Sequence, residues 1–296
     1  MTNITSEEFF NAPSFADIML VKSYIEQGCD VNAVTNGGNN ILWHIASSPI
    51  PDAHMRSRLI EMAQLLIAHN VSAAALNDVG INAVWEAVGV GFFELCELFQ
   101  ALNIKLTEHV SLNEFIYRWL RHPMRQQRID FPKVLALLLS EQPDLTQRVE
   151  EYRNYTPLQM ACNDGKTEAI LRLLQAGADA NQHLSRYQTQ ATPLELLCNC
   201  AWRAKRECYE AINALLNAGA NPNLFSNDII LPNDSKPALI WVVIYGGSTT
   251  KVVERLLQAG AQIDLKDACG HDALYWAKQS KRDDLVALLM QYKNKS

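Results

Sequence analysis

Asp164-Gly165-Lys166-Thr167 ends in the Gly-Lys-Thr of a phosphate loop, a segment in which backbone N–H groups and a lysine neutralise phosphate oxygens. The full pattern needs another glycine where Met160 stands and a strand before it, and neither is present in the sequence. Gly89-Val90-Gly91 is a still shorter fragment of a nucleotide-binding pattern. Cys198, Cys200 and Cys208, with His183 upstream, come nearest to a metal-ligand set, yet they lack the paired Cys-x-x-Cys or His-x-x-x-His spacing that orients a tetrahedral zinc site. Packed thiols are expected there. No Gly-x-Ser-x-Gly or His-Glu-x-x-His signature accompanies the seven histidines and seven cysteines. The expectation is a chain without catalysis, metal or cofactor; the alternative is an enzyme with a site improvised in a groove from Asp164, His271 or a cysteine.

Charge supplies a second set of candidates. Arg118, Arg121, Arg125, Arg128 and Lys133 stand against a single Asp130, and Arg203, Lys205 and Arg206 form a later run tempered by Glu207. A solvated edge is the default for such runs; the functional alternative is docking of an acidic or phosphorylated segment or an anionic membrane surface. Residues 1–150 hold 10 Lys/Arg and 17 Asp/Glu, against 16 and 15 in residues 151–296, so the net charge of -6 sits in the first half. That balance argues against general nucleic-acid binding, which needs a basic footprint to displace counterions. No apolar run approaches the roughly 20 residues of a membrane helix. Met1-Thr-Asn-Ile-Thr-Ser-Glu-Glu lacks the regions of a signal peptide, and odd-numbered, scattered cysteines suit a reducing compartment, so a cytoplasmic location is expected.

A repeated unit must position all of these side chains. Thr156-Pro157-Leu158 recurs as Thr192-Pro193-Leu194, each followed by a leucine-rich stretch and a closing Gly-Ala, at Gly177-Ala178 and Gly219-Ala220. Asn77-Asp-Val-Gly80 and Asp267-Ala-Cys-Gly270 have the residues of type I turns. Asn40, Asn82, Thr156, Thr192 and Asp272 stand where an N-cap is needed, with Pro157 and Pro193 at the first helical position. Gly28, Gly177, Gly219 and Gly260 are placed to end second helices. Leu158 to Leu173, Leu274 to Leu289 and Val84 to Phe99 are each 15 residues apart, which joins a first-helix anchor to a second-helix anchor.

Residues 152–183 closely resemble one ankyrin repeat. The resemblance implies an all-α ankyrin-repeat solenoid of about eight stacked helix pairs with finger loops, forming a single domain over 1–296. Residues 6–34 would form an N-terminal capping repeat and 36–76, 77–107 and 108–147 degenerate repeats. Residues 151–182, 187–224 and 232–266 read as clear repeats, and 267–292 as the C-terminal one. Leu42 to Leu66 spans 24 residues and Leu194 to Leu215 spans 21, so long inter-helix loops are expected at 47–54 and 199–206, as at 121–128, thickening one edge. Asn181 to Thr192 is 11 residues and Asn223 to Pro237 is 14, where Asn32 to Asn40 is 8, so two fingers are lengthened.

The resemblance also implies a partner, another protein, bound on the concave side formed by finger tips and the exposed ends of first helices. Carried onto this sequence, those positions are Tyr152, Arg153 and Tyr155, with Asn163 and Asp164, then Arg186 and Tyr187, Lys236, Ile244 and Tyr245, and His271. Exposed tyrosine and arginine there are the residue types that dominate interface energetics. The basic edge of Arg121, Arg125, Arg128, Arg203, Lys205 and Arg206 would modulate specificity. Trp43, Trp85, Tyr275, Trp241 and Trp276 are expected to pack in the core. Asn32, Asn181 and Asn223 match positions that the family offers for asparaginyl hydroxylation. Such arrays occur in eukaryotic regulators and in proteins that intracellular bacteria inject into hosts, which extends the expected location to a host cytosol.

Overall fold

The chain's turns and caps form as their residue types require. Gly80 N–H donates to the Asn77 carbonyl at 3.0 Å and Gly270 N–H to that of Asp267 at 2.9 Å. The side-chain oxygens of Asn40, Asn82, Thr156 and Asp272 then accept the backbone N–H of Trp43, Trp85, Gln159 and Tyr275 at 3.0, 2.8, 3.3 and 2.7 Å, each satisfying a donor that the first helical turn leaves free. Thr192 does the same for Glu195 N–H at 3.2 Å. The computed structural model describes residues 5–49, 52–121, 130–148, 154–182, 191–204, 208–225, 236–245 and 250–294.

Sixteen α-helices and no strand occur among the described residues. The chain divides into two compact units, Met1–Pro143 and Asp144–Ser296. The N-terminal unit pairs α1 (Ser6–Phe15) with α2 (Ile18–Glu26), α3 (Ile41–Ser47) with α4 (Ala53–Ala68), α5 (Ala83–Val90) with α6 (Phe93–Ala101), and α7 (Leu112–Arg121) with α8 (Phe131–Ser140). The C-terminal unit pairs α9 (Pro157–Asn163) with α10 (Thr167–Gln175), α11 (Pro193–Ala204) with α12 (Tyr209–Asn217), α13 (Ala238–Tyr245) with α14 (Thr250–Gln258), and α15 (Ala273–Gln279) with α16 (Asp283–Lys293). Within each unit the first helices pack against one another in succession, and the second helices do likewise, giving two layers around one core. Val84 with Phe99 and Leu158 with Leu173 are buried, as their 15-residue spacing predicts, and Phe9, Leu42, Leu66, Phe115 and Phe131 fill the N-terminal core.

One of the expected long loops, 199–206, is largely helix, while α3 ends at Ser47 and α4 starts at Ala53 as a loop at 47–54 requires. α4 runs for 16 residues, N-capped by Asp52, and α11 for 12, through Asn199-Cys-Ala-Trp-Arg-Ala204. Neither stretch contains a glycine or an interior proline, so propagation continues once the first turn is paid for.

The units differ in how neighbouring repeats are tied. In the C-terminal unit Asn181 Nδ2 donates to the Gly219 carbonyl at 2.8 Å while its Oδ1 accepts Asn221 N–H at 2.7 Å. Asn223 repeats this on the Gly260 carbonyl at 2.9 Å and Gln262 N–H at 2.8 Å. In the N-terminal unit Glu141 reaches in the opposite direction. It accepts from Leu106 N–H at 3.0 Å, Thr107 N–H at 2.8 Å, Thr107 Oγ1 at 2.6 Å and Gln100 Nε2 at 2.6 Å. Burial pushes its carboxyl group up, but these four donors outweigh that and hold it below the usual carboxylate range.

Candidate partner-binding surface

First helices α9, α11, α13 and α15 lie side by side, which brings their C-terminal ends into one row and the fingers before them into another. Asn163 and Asp164 sit at the end of α9, half-buried, with Asn163 Nδ2 donating to Asp164 Oδ1 at 2.7 Å. Ile244 lies near the end of α13, also half-buried. Tyr152, Arg153, Arg186 and Tyr187 lie outside the described residues, as does the side chain of Tyr245. The basic edge does too: Arg125, Arg128, Lys205 and Arg206 are outside them, and Arg121 and Arg203 are helical residues whose side chains are not described.

Three expected finger residues share a position that faces inward. Tyr155, Lys236 and His271 each stand one residue before a helix N-cap, the place whose side chain packs back on the fourth helical residue as a staple. Tyr155 is only 5% exposed, and Met160, its fourth helical residue, is fully buried. Lys236 is 9% exposed, with Nζ 4.9 Å from the centre of the Trp241 ring, a cation–π contact within the scaffold. His271 is half-buried and meets Trp276 edge-on at 5.7 Å, while its other face stacks on Tyr275 at 3.8 Å. Tyr155 and Lys236 are therefore not surface anchors, contrary to the expectation from their finger positions. The polar sequence around them hid a regular signal, the residue just before each cap.

The chemical candidates of the sequence resolve as scaffold. Gly165 has φ of +62° at the turn between α9 and α10, and a Cβ there would stand 3.1 Å from Cys200 Sγ, so the glycine of the Gly-Lys-Thr segment serves the turn. Cys162, Cys198, Cys200 and Cys208 are buried, and burial pushes the Cys162 and Cys198 thiols well up, away from the thiolate form that attacks electrophiles or binds metals. His183 lies outside the described residues. Among the described residues no group of three or more His, Cys, Asp or Glu is arranged to hold a metal ion.

Side chains that the sequence reading passed over line the N-terminal fingers. Asp78 N–H donates to the Gly37 carbonyl at 3.2 Å and Asn77 Nδ2 to Asn39 Oδ1 at 2.7 Å, so the first two fingers are bonded edge to edge. Their tips expose Val34, Leu76 and Val79 by 56, 66 and 74%. A valine at the third turn position, where polar residues are usual, is the signal that could have found Val79. Tyr275 also departs from expectation: it is 38% exposed, whereas Trp241 is buried and Trp43, Trp85 and Trp276 are half-buried.

The sequence profile of three tandem ankyrin repeats matches residues 197–296, and that of a single ankyrin repeat matches residues 153–182. With an all-helical fold of stacked helix pairs, the chain is an ankyrin-repeat protein. Repeats of this family are generally protein-binding modules and typically non-catalytic. No curated protein matches the chain. No helix among the described residues is long and apolar enough to cross a membrane.

Proposed function

We propose that this chain is a non-catalytic adaptor that binds another protein through its finger tips and the adjoining ends of its first helices. The observation that carries this reading is the exposure of Val34, Leu76 and Val79 on two fingers bonded to each other. Aliphatic side chains held in water by a rigid ribbon contribute nothing to the fold, and their burial against a partner would be favourable at about 25 cal/mol per Å². In the C-terminal unit the family resemblance would assign Tyr152, Arg153, Arg186, Tyr187 and Tyr245 to the corresponding surface, together with Asn163, Asp164, Ile244 and the His271–Tyr275 stack. The basic edge at Arg121, Arg125, Arg128, Arg203, Lys205 and Arg206 would favour an acidic or phosphorylated segment of that partner.

Affinity capture with mass spectrometry tests the proposal. Wild type is compared with a Val34→Ser, Leu76→Ser, Val79→Ser variant and with a Tyr152→Ala, Tyr245→Ala, Tyr275→Ala variant, each confirmed to melt as wild type does. A partner lost from one variant places binding on that unit's fingers. A partner that both variants retain would overturn the finger reading.

A further inference from the structure

Asn40 and Asn82 are equivalent caps with different partners. Each uses Oδ1 to accept a backbone N–H of its own helix, from Trp43 at 3.0 Å and from Trp85 at 2.8 Å. Each then turns its amide nitrogen to the segment that follows the second helix of its pair. For Asn40 the acceptor is the Ser72 carbonyl at 2.7 Å. For Asn82, a residue only 3% exposed, the group opposite is His109 Nδ1 at 3.1 Å.

That difference fixes the protonation state of the histidine. Trp85 N–H is a donor, so the orientation of the Asn82 amide is set: Oδ1 faces the helix and the NH2 faces His109. Nδ1 must therefore accept, which requires a neutral imidazole with its proton on Nε2. An imidazolium would set two donors against each other. Flipping the amide would offer its oxygen to the ring but place the NH2 against Trp85 N–H, so one of the two bonds is lost in either orientation. A carbonyl acceptor, as at Asn40, has no such sensitivity.

We propose that the Asn82–His109 contact is a proton-sensitive latch that holds the turn before α7 on α5 at neutral pH and releases it on acidification. His109 follows a single 3-10 turn, Leu106–Glu108, which packs on α5 and α6. The charged groups on the surrounding elements are Glu86 on α5, Glu94 and Glu97 on α6, Lys105 and Glu108 on its own segment, Glu114, Arg118 and Arg121 on α7, and Glu141 after α8. Glu94 is paired with Arg56 at 2.7 Å, Lys105 with Glu108 at 3.7 Å, Glu114 accepts from Trp85 Nε1 at 3.1 Å, and Glu141 is held by Gln100, Leu106 and Thr107. Acidification puts a proton on Nδ1, which can then no longer accept from the Asn82 amide. The pair it serves is already imperfect, since Asn113 on α7 is buried with Oδ1 unpartnered.

Amide hydrogen exchange on the full chain tests the latch at about pH 7.5 and about pH 5.5, on either side of the ordinary imidazole range. After correction for intrinsic exchange, protection of the Val110 amide, bonded to the Leu106 carbonyl within the latched turn, falls about five- to tenfold at the lower pH. The Trp43 amide, capped by Asn40, keeps its protection in the same spectra. His109→Asn, whose Oδ1 replaces Nδ1 as acceptor, keeps the neutral-pH protection and abolishes the pH response. His109→Ala lowers protection at both pH values. An unchanged Val110 amide, parallel changes at Val110 and Trp43, an unaltered pH response in His109→Asn, or ring nitrogen shifts showing the Nδ1–H tautomer at neutral pH would each overturn the latch. Should the variants fail to fold, the Val110 and Trp43 comparison and the tautomer in wild type decide the question.

Discussion

In the C-terminal unit the amides of Asn181 and Asn223 reach forward onto the next repeat's turn, whereas in the N-terminal unit the Glu141 carboxylate reaches back onto Leu106 and Thr107. The helix ends differ in the same way. Gly177, Gly219 and Gly260 close α10, α12 and α14 at φ of 91, 87 and 88°, while the corresponding residues after α4, α6 and α8 are Asn70, Asn103 and Gln142 at 65, 60 and 54°. Four residues further on, where Asn181 and Asn223 form the clamps, the segments after α4, α6 and α8 have Ala74, Thr107 and Thr146. The same stacked pairs therefore persist after both the left-handed glycine and the asparagine clamp are replaced, provided other groups supply the bonds. The family profiles match the unit that keeps the motif.

The sharpest way to break the comparison is Glu141→Ala, which removes an acceptor from four donors in the N-terminal unit alone. A loss of about 3 kcal/mol is expected from charge-assisted bonds of this kind, read as weaker amide protection in residues 93–121 with α10 to α16 unchanged. The same bonds set a pH dependence. Because the folded carboxyl group titrates below its unfolded value, its stabilisation is complete above the ordinary glutamate range near about 4.3 and is lost as pH falls through the depressed folded value. Denaturant midpoints followed downward from neutral pH should fall in wild type and less steeply in Glu141→Gln.

Asn113→Leu acts on the same unit in the opposite direction. Asn113 occupies the anchor position that Leu158 fills in α9, so the leucine replaces an unpartnered buried oxygen with apolar packing and should stabilise by about 2 kcal/mol in urea unfolding. Asn223→Ala breaks one forward clamp and should cost about 1.5 kcal/mol, confined to exchange of amides in 208–266. The smallest change is Gln142→Gly. Relief of a left-handed conformation in a residue with a Cβ should gain about 1 kcal/mol, seen as a rise in Tm.

Much of the scaffold was legible because its signals are local. A turn of Asn77 to Gly80, a cap at Asn82 and a 15-residue reach to Phe99 depend on a few adjacent residues and elementary stereochemistry. The continuation of α11 through Asn199–Ala204 was not legible because an insertion in the alignment of repeats does not say whether the added residues coil or continue a helix; their lack of breakers decides it. The surface was less legible. Tyr155 and Lys236 read as exposed because fingers are polar, yet the staple geometry at the residue before the cap turns each inward. Val34 and Val79 belong to no cap or helix anchor, so nothing local singled them out, yet they are 56 and 74% exposed.

The forward clamps have a consequence for how such a chain can change. Asn181 and Gly219 are 38 residues apart, Asn223 and Gly260 are 37, and the two lengthened fingers lie between the ends of those bonds. Each clamp closes at under 3 Å regardless of finger length. Pitch is thus set on one side of the repeat and vocabulary on the other, so sequence can be spliced into 182–191 or 224–236 with little more than the slowly growing entropy of a longer loop. These are the positions at which a new specificity could be grafted onto an old frame.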